Sequence, residues 1–295
     1  MKKTVVMTIA ALALVFASLA AAADFSKHWH DGKAELSGYA LEVSRYGQTR
    51  KGTAVLIYVT EPFSESKRVK VNDHTRNPAD VVDVLKLNLV RDFQTGIYDY
   101  NTMVSVFSRT SDFAPLKVSF SSAEWCGHVY SEMRFDPGRV TGTYHSYFEN
   151  ESGAIALDAP KGGVSEDNLF ILLRGLRGAF LAPGASHTVP YLPGVFSSRL
   201  SHQPLRWTQA TITRAAQAQT VTVPAGTFST MLYDVRAGDG RSGQFWVEEV
   251  WPHRIVRWSL PPDVSGELLG SERLEYWKLN AEGGERHLSG IGLEK

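Results

Sequence analysis

Apolar and polar residues alternate with a period of two along most of this chain, and this pattern constrains the fold more than any other feature. In "TAVLIYVTEPF", residues 53–63, Val55, Ile57 and Val59 share one side of an extended strand. Similar segments are separated by turn residues, such as Pro137-Gly138. Because successive side chains of a strand point to opposite faces, the pattern predicts a mainly β protein, built as an antiparallel barrel, half-barrel or sandwich.

One segment has a helical pattern instead. "SEDNLFILLRGLRG", residues 165–178, begins with Ser165 as a potential cap, continues with acidic residues, and ends at Gly178. A Pro- and Gly-containing passage follows it. We therefore predict an N-terminal β unit over 24–180, a C-terminal β unit over 181–279 and a loosely held tail over 280–295. One continuous β domain is the alternative.

The first residues have the three parts of a secretory signal peptide. Basic Lys2 and Lys3 precede an apolar run over 5–17, and small residues lie just before Asp24. The pattern predicts that residues 1–23 are a signal peptide and that the protein is exported to the periplasm or the extracellular space. An uncleaved N-terminal anchor is the alternative. No later segment has the roughly 20 apolar residues of a spanning helix, so we expect no stable membrane insertion.

Charge and cysteine content restrict the partners. Without Lys2 and Lys3 the chain keeps 29 basic and 31 acidic residues, a net charge of about −2, which gives no support for a nucleic-acid partner. The single cysteine, Cys126, cannot form an internal disulfide, so the fold depends on its core. We predict no cofactor and no metal site, and the sequence leaves the oligomeric state open.

Several segments resemble known groups of exported proteins. "LKLNLVRDFQTGIYDYNTMVSVF", residues 85–107, and "FSSAEWCGHVY", residues 120–130, resemble exported bacterial proteins of unknown function that are sometimes labelled septum formation inhibitor Maf. "VTVPAGTFSTMLYDVR", residues 221–236, resembles uncharacterised periplasmic β domains with a Val-Pro-Ala-Gly-Thr-Phe turn. The chain lacks the Ser-x-Ser-Pro-Arg-Arg start of genuine Maf enzymes. The resemblance implies export and a β fold, and it assigns no catalytic residues.

The lone cysteine lies on a predicted hairpin. If Pro137-Gly138 form the turn, Phe135 faces Val140, and continued pairing sets Tyr130 opposite His145 and Cys126 opposite Glu149. The opposite face, with residues such as Val129 and Met133, has the composition of a core face. The polar face then carries Glu124, Cys126, His128, Tyr130, His145, Tyr147 and Glu149.

Four interpretations of this face remain open. His128 could activate Cys126 as a nucleophile, with Glu124 or Glu149 orienting the histidine, or the histidines with cysteine or glutamate could bind a metal. Cys126 could also be an inert packed residue. We favour the fourth interpretation, in which the face lines a sheltered cavity, because an exposed thiol outside the cytoplasm is easily oxidised. The sequence thus predicts a β protein that binds a small lipophilic or amphipathic ligand or serves envelope maintenance. A thiol-dependent or metal-assisted hydrolase is the alternative.

Overall fold

The first half of the chain forms an antiparallel meander. The computed structural model describes residues 24–260 and 264–294. The first strands are β1 (Ala34–Arg45), β2 (Gln48–Ser64), β3 (Val69–Lys70), β4 (Val81–Thr95), β5 (Tyr98–Arg109), β6 (Pro115–Glu124), β7 (Gly127–Asp136), β8 (Arg139–Ser146) and β9 (Gly153–Asp158). Short β3 extends the end of β2, and the long strands pair in the order β1-β2-β4-β5-β6-β7-β8-β9.

The second half of the chain continues the sheet on the other side of β1. Its strands are β10 (Val164–Ser165), β11 (Ser186–Leu192), β12 (Thr208–Arg214), β13 (Gln219–Val223), β14 (Gly226–Ala237), β15 (Ser242–Glu248), β16 (Ile255–Leu260) and β17 (Val264–Leu274). The helices are α1 (residues 24–29), α2 (Glu166–Leu172), α3 (Val195–Ser201) and the 3₁₀ helices Pro78–Asp80, Tyr276–Lys278 and Gly284–Ile291. The pairs run β17-β16-β15-β14, and β12 and β13 pair with different parts of β14.

Pairing between β1 and β17 joins the two halves into one sheet. Ala34 lies opposite Leu274, and Val43 lies opposite Val264. The sheet is open, because β9 and β10 lie at its two margins. The structure therefore confirms the predicted mainly β class, in the form of a half-barrel or sandwich. The predicted division of the chain near residue 180 stays a prediction.

The inner face of the sheet is covered by the segment that links its two halves. Helix α2 is buried over residues 166–171, and Phe170 packs edge-to-face against Phe245 and Trp258. The helix ends at Leu172, so the predicted end at Gly178 is wrong. Gly175, with a φ of +62°, takes the chain out of the helix at that point. Ser165 occupies the cap position, but its side chain makes no capping hydrogen bond.

A buried ion pair fastens the end of this segment to the sheet. Nη1 and Nη2 of Arg174 lie 2.8 and 3.0 Å from the two carboxylate oxygens of Glu35 on β1. Arg174 also donates to the carbonyl oxygens of Pro252 and His253 and lies over the ring of Tyr58. Both charged side chains are at most 2% exposed. The sheet therefore supplies the partners that a buried guanidinium requires.

Removal of one charge from this pair should destabilise the fold strongly. We expect Arg174→Leu to lower the free energy of unfolding by about 3–5 kcal/mol, because Glu35 stays buried without its cation. The measurement is urea denaturation followed by circular dichroism. The double variant Glu35→Leu/Arg174→Leu should recover part of the loss. Arg236→Leu is the matched control, since Arg236 is 79% exposed beside Asp234 and should cost under about 1 kcal/mol. Equal losses for Arg174→Leu and Arg236→Leu would contradict the prediction.

The C-terminal segment packs on the outer face of the sheet. Ile291, at the end of the last 3₁₀ helix, is 1% exposed and lies against Ala34 and Leu36. Gly38 and Gly270 face each other across β1 and β17, where a Cβ on Gly38 would come within 2.2 Å of the Ile291 carbonyl oxygen. The expectation of a loosely held tail is wrong for residues 284–293. Two opposed glycines form a depression in which the tail backbone lies.

Filling this depression should release the tail. We expect Gly38→Ala to cost about 1–3 kcal/mol in unfolding free energy, because the added methyl group meets backbone atoms. Limited proteolysis should then cleave residues 284–293 faster than in the parent protein. Gly153→Ala, with nothing within 4 Å of the added methyl group, is the control and should cleave at the parental rate. Unchanged protection in Gly38→Ala would refute this packing.

None of the helices in the described residues is long and apolar enough to cross a membrane.

Candidate functional site

The predicted hairpin at Pro137-Gly138 has the expected register. Phe135 lies opposite Val140, and Tyr130 lies opposite His145, on strands β7 and β8. Val129, Met133 and Val140 are buried on the inner face. The pairing on this part of the chain therefore confirms the turn that the sequence indicates.

The strand before this hairpin is interrupted, which the sequence analysis did not foresee. Glu124 on β6 pairs with Gly127 on β7, so Trp125 and Cys126 are the two central residues of a turn. The predicted pairing of Cys126 with Glu149 is therefore wrong. Glu124 and His128 belong to different strands and point to opposite faces, because a two-residue turn sets His128 opposite Ala123. Tyr147 covers this turn, since a Cβ on Gly127 would lie 2.3 Å from its ring.

The face that we expected to be sheltered lies on the outside. Tyr130 and Tyr147 are 44% and 63% exposed. The other outward residues of the predicted set are Cys126, His128, His145 and Glu149, which are all exposed. Glu124 alone points inward and is buried. The structure thus separates Glu124 from the rest of the set, and a ligand-binding role for these residues stays a prediction.

In the described residues, the side chains predicted for thiol or metal chemistry do not come together in one site. Within residues 24–260 and 264–294, Cys126 and His128 form no hydrogen bond with each other. The same part of the chain contains no group of three or more His, Cys, Asp or Glu side chains close enough to hold a metal ion. Cys126 is a free, exposed cysteine at a hairpin turn.

A groove of about 370 Å³ lies beside the marginal strand β9. Its other wall is the end of α3 and the loop to β12. Seven lining residues are apolar: Tyr144, Ala154, Ile155, Ala156, Leu157, Pro204 and Leu205. The polar residues that line it are Asn150, Glu151, Ser198, His202 and Gln203. The volume falls within the usual range of ligand sites, about 300–1,000 Å³.

The two kinds of lining residue are separated along the groove. Asn150 and Glu151 precede β9, whereas Ile155 and Leu157 lie further along it. A strand rises about 3.3 Å per residue, so Leu157 lies about 13 Å along β9 from Gly153, the first residue of the strand, which Glu151 precedes. The groove therefore has a polar end and an apolar end.

His202 and Glu151 form the polar end. Nδ1 of His202 lies 2.6 Å from Oε1 of Glu151, and Ser146 donates a hydrogen bond to the other carboxylate oxygen at 2.6 Å. Burial alone would raise the pKa of Glu151, but the hydrogen bonds from Ser146 and His202 and the nearby cationic side chains lower it below its ordinary value. Glu151 is thus held as a carboxylate. His202 ends α3 with a φ of +53°, an unusual conformation for a residue other than glycine.

A buried ion pair positions this end of the groove. Arg199 of α3 pairs with Glu124 of β6, and both side chains are at most 2% exposed. The Arg199 guanidinium lies 4.5 Å from the ring centre of Phe148, which packs edge-to-face against His202. Glu124 therefore has a structural role here: it anchors the helix that presents His202.

Sequence reasoning did not find His202, Glu151 or Arg199. His202 and Glu151 are 51 positions apart, and Arg199 and Glu124 are 75 positions apart. No local spacing rule links such residues, because only the packing of α3 across β6 to β9 brings them together. The sequence carries one weak signal for this site, an acidic residue and a histidine that each lie in a turn-like segment. Such residues are too common to identify a site.

A second polar cluster is sealed between α2 and α3. Asp167 accepts a hydrogen bond from the Val195 backbone N–H at 3.1 Å, and Glu166 accepts one from the Tyr191 hydroxyl at 2.6 Å. The guanidinium of Arg91 lies 4.4 Å from the ring centre of Phe196. The cavity among these groups has a volume of about 10 Å³, enough for about one water molecule. The cluster therefore joins the helices and leaves no room for a ligand.

The charge state of Asp167 should make stability depend on pH. Burial, and secondly the negative charge of Glu166, raise the pKa of Asp167 from 3.8 to about 7. The folded state thus holds this proton more tightly than the unfolded chain, so its contribution to folding is present at low pH and is lost as pH rises from about 4 to about 7.

We therefore expect Asp167→Asn to stabilise the protein at pH 8, by at most about 4 kcal/mol, and to change stability little near pH 4. Urea denaturation at both pH values measures the difference. Asp158→Asn, at the exposed end of β9, is the control and should have the same small effect at both. A benefit of Asp167→Asn that is independent of pH would argue against a buried proton at this site.

Comparison with known proteins adds one distant likeness. No protein-family model matches the chain, and no curated protein matches it. Among solved structures, a protein from Bacteroides fragilis described as exported and as having a YmcC-like fold is 13% identical. The match covers 81% of this chain and 95% of that chain, with a TM-score of 0.21.

Proposed function

We propose that this protein is an exported binding protein that holds an amphipathic ligand in the groove beside β9. The observation that carries the proposal is the division of the groove into an apolar wall and a polar end made by His202 and Glu151. Ligand sites of this kind are mostly apolar, with a few polar groups that fix the orientation of the ligand.

The lining suggests how such a ligand is oriented. Its apolar part would lie against Ile155, Leu157 and Leu205, which are half-buried around the core. Its polar part would lie near the imidazole of His202. The groove volume of about 370 Å³ is at the lower end of the range for ligand sites, which favours a single-chain amphiphile over a two-chain lipid.

In the part of the chain that the structure describes, large side chains fill the inside of the sheet around α2 and α3. Phe170 of α2 and Phe196 of α3 belong to the continuous core cluster, together with Trp258 of β16. The cavity beside these helices has a volume of only about 10 Å³. For this reason we place the ligand at the margin of the sheet, although the sequence pattern alone suggested a cavity enclosed by strands.

Export is part of the proposal, and it rests on the sequence. The basic start, the apolar run over 5–17 and the small residues before Asp24 are typical of a signal peptide. These residues lie outside the described part of the structure. Processing can be tested by mass spectrometry of the protein recovered from the cell envelope or the medium, where a mass that begins at Asp24 is expected.

Binding can be tested with dansyl-labelled undecanoic acid, a fluorescent single-chain amphiphile. We expect saturable binding by the parent protein and about tenfold weaker binding by Leu205→Ser, because the variant loses one apolar contact in the groove. Val250→Ser is the matched control: Val250 is 65% exposed in the connection between β15 and β16, outside the groove lining, and its loss should leave the affinity unchanged.

Two further outcomes separate the alternatives. Cys126→Ser should bind the probe as the parent does. Loss of binding in Cys126→Ser with full binding in Leu205→Ser would place the ligand on the β7–β8 hairpin and overturn the groove proposal. Absence of saturable binding in the parent would overturn it as well.

A further inference from the structure

Four hairpin turns of the N-terminal meander carry exposed apolar side chains at one end of the sheet. They join β1 to β2, β4 to β5, β6 to β7 and β8 to β9. Every second connection of an antiparallel meander lies at the same end, so these four turns are neighbours. Their most exposed large apolar residues, here named the tip row, are Tyr46, Ile97, Trp125 and Tyr147, with exposures of 57%, 81%, 68% and 63%.

The tip row is an evenly spaced edge that is supported by the sheet. Strands lie about 4.8 Å apart, so successive hairpin tips are about 10 Å apart and the row is about 30 Å long. The Tyr46 hydroxyl lies 3.2 Å from that of Tyr98 and 3.0 Å from that of Tyr100. Tyr147 lies across Gly127, directly after the turn that carries Trp125. The tips are thus held in place by the sheet.

Charges around the tip row are few and mostly acidic. Within four residues of a tip, the arginines are Arg45 and Arg50, the histidines are His128 and His145, there is no lysine, and the acidic side chains are Glu42, Asp99, Glu124, Glu149 and Glu151. Glu124 and Glu151 are already paired with Arg199 and His202. A surface that attracts anionic lipids instead carries a cluster of lysines and arginines. The tip row therefore suits a partner with no net charge.

We propose that the tip row binds the surface of a zwitterionic lipid bilayer. Trp and Tyr side chains favour the membrane–water interface, because their rings are apolar and their polar groups remain hydrated. Separate, protruding side chains suit a fluid surface, whereas a rigid protein partner would need a matching set of pockets. Ile97, the most exposed of the four, enters furthest.

The position of the groove supports a lipid surface as the partner. The β8–β9 connection carries Tyr147 of the tip row and Glu151 of the groove's polar end, four residues apart. An amphiphile that leaves a bilayer at the tip row would therefore meet the groove nearby. This inference goes beyond the proposed ligand binding and does not depend on it.

Co-sedimentation with vesicles tests the inference. We expect the mature chain from Asp24 onward to sediment with phosphatidylcholine vesicles, and equally or less well when phosphatidylglycerol is added. The double variant Ile97→Ser/Trp125→Ser should bind at least about tenfold more weakly, because two apolar side chains no longer enter the interface. The matched control is Val250→Ser, which removes an apolar side chain that is 65% exposed at the opposite end of the sheet and should leave binding unchanged.

A second measurement locates the contact. Cys126 is the only cysteine and lies in the tip row's third turn, so a nitrobenzoxadiazole dye on it reports on this edge alone. Its emission should increase and shift to shorter wavelength with phosphatidylcholine vesicles. Leu205→Ser should bind vesicles as the parent does, which separates this proposal from that of the groove.

Four results would overturn the inference. The first is no sedimentation of the parent with either vesicle, and the second is a loss of vesicle binding in Val250→Ser equal to that in Ile97→Ser/Trp125→Ser. The third is binding that requires phosphatidylglycerol and is removed by salt. The fourth is a dimer of the parent in gel filtration that Trp125→Ser abolishes. The last result would assign the tip row to contact between two copies of the chain.

Discussion

The pair between Arg174 and Glu35 makes the rest of the architecture possible. The chain leaves the N-terminal meander at β9 and crosses the inner face of the sheet through α2 before it begins the second meander. A buried crossing is costly unless its polar groups find partners. Arg174 receives the Glu35 carboxylate and two carbonyl oxygens, and Asn168 bonds to Ser108 and to the Phe113 carbonyl. Both halves of the sheet therefore contribute to holding the crossing segment.

This crossing determines where a ligand could bind. Once α2 and α3 cover the inner face, the space that an open, curved sheet might offer is filled by Phe170, Phe196 and their neighbours. The groove of about 370 Å³ lies at the margin, where α3 meets β9. The same helix supplies Arg199, which reaches Glu124, and His202, which reaches Glu151. The helix that closes the interior thus also builds the polar end of the groove.

The local part of the fold could be predicted from the sequence, and the long-range part could not. Pro137-Gly138 specified its turn and the Phe135–Val140 register, because both residues favour turn geometry. Trp125-Cys126 has no such signal, although the buried positions change from even in β6 to odd in β7, as a two-residue turn requires. The pairing of β1 with β17 and the contacts of His202 join distant segments, which single-sequence periodicity does not encode. For this reason the predicted polar face lay outside, and the groove was missed.

The adjacency of β1 and β17 also has a consequence for folding. Strand β1 gains its second neighbour only when Ala34 pairs with Leu274 of β17. Until that part of the chain has been synthesised, β1 is an unpaired edge, although it lies in the middle of the finished sheet. Contacts of such sequence separation form slowly, and an unpaired central strand is a template for association with other chains. In a chain of this topology, the strand at the centre of the finished sheet is therefore the one that stays exposed to such association for longest.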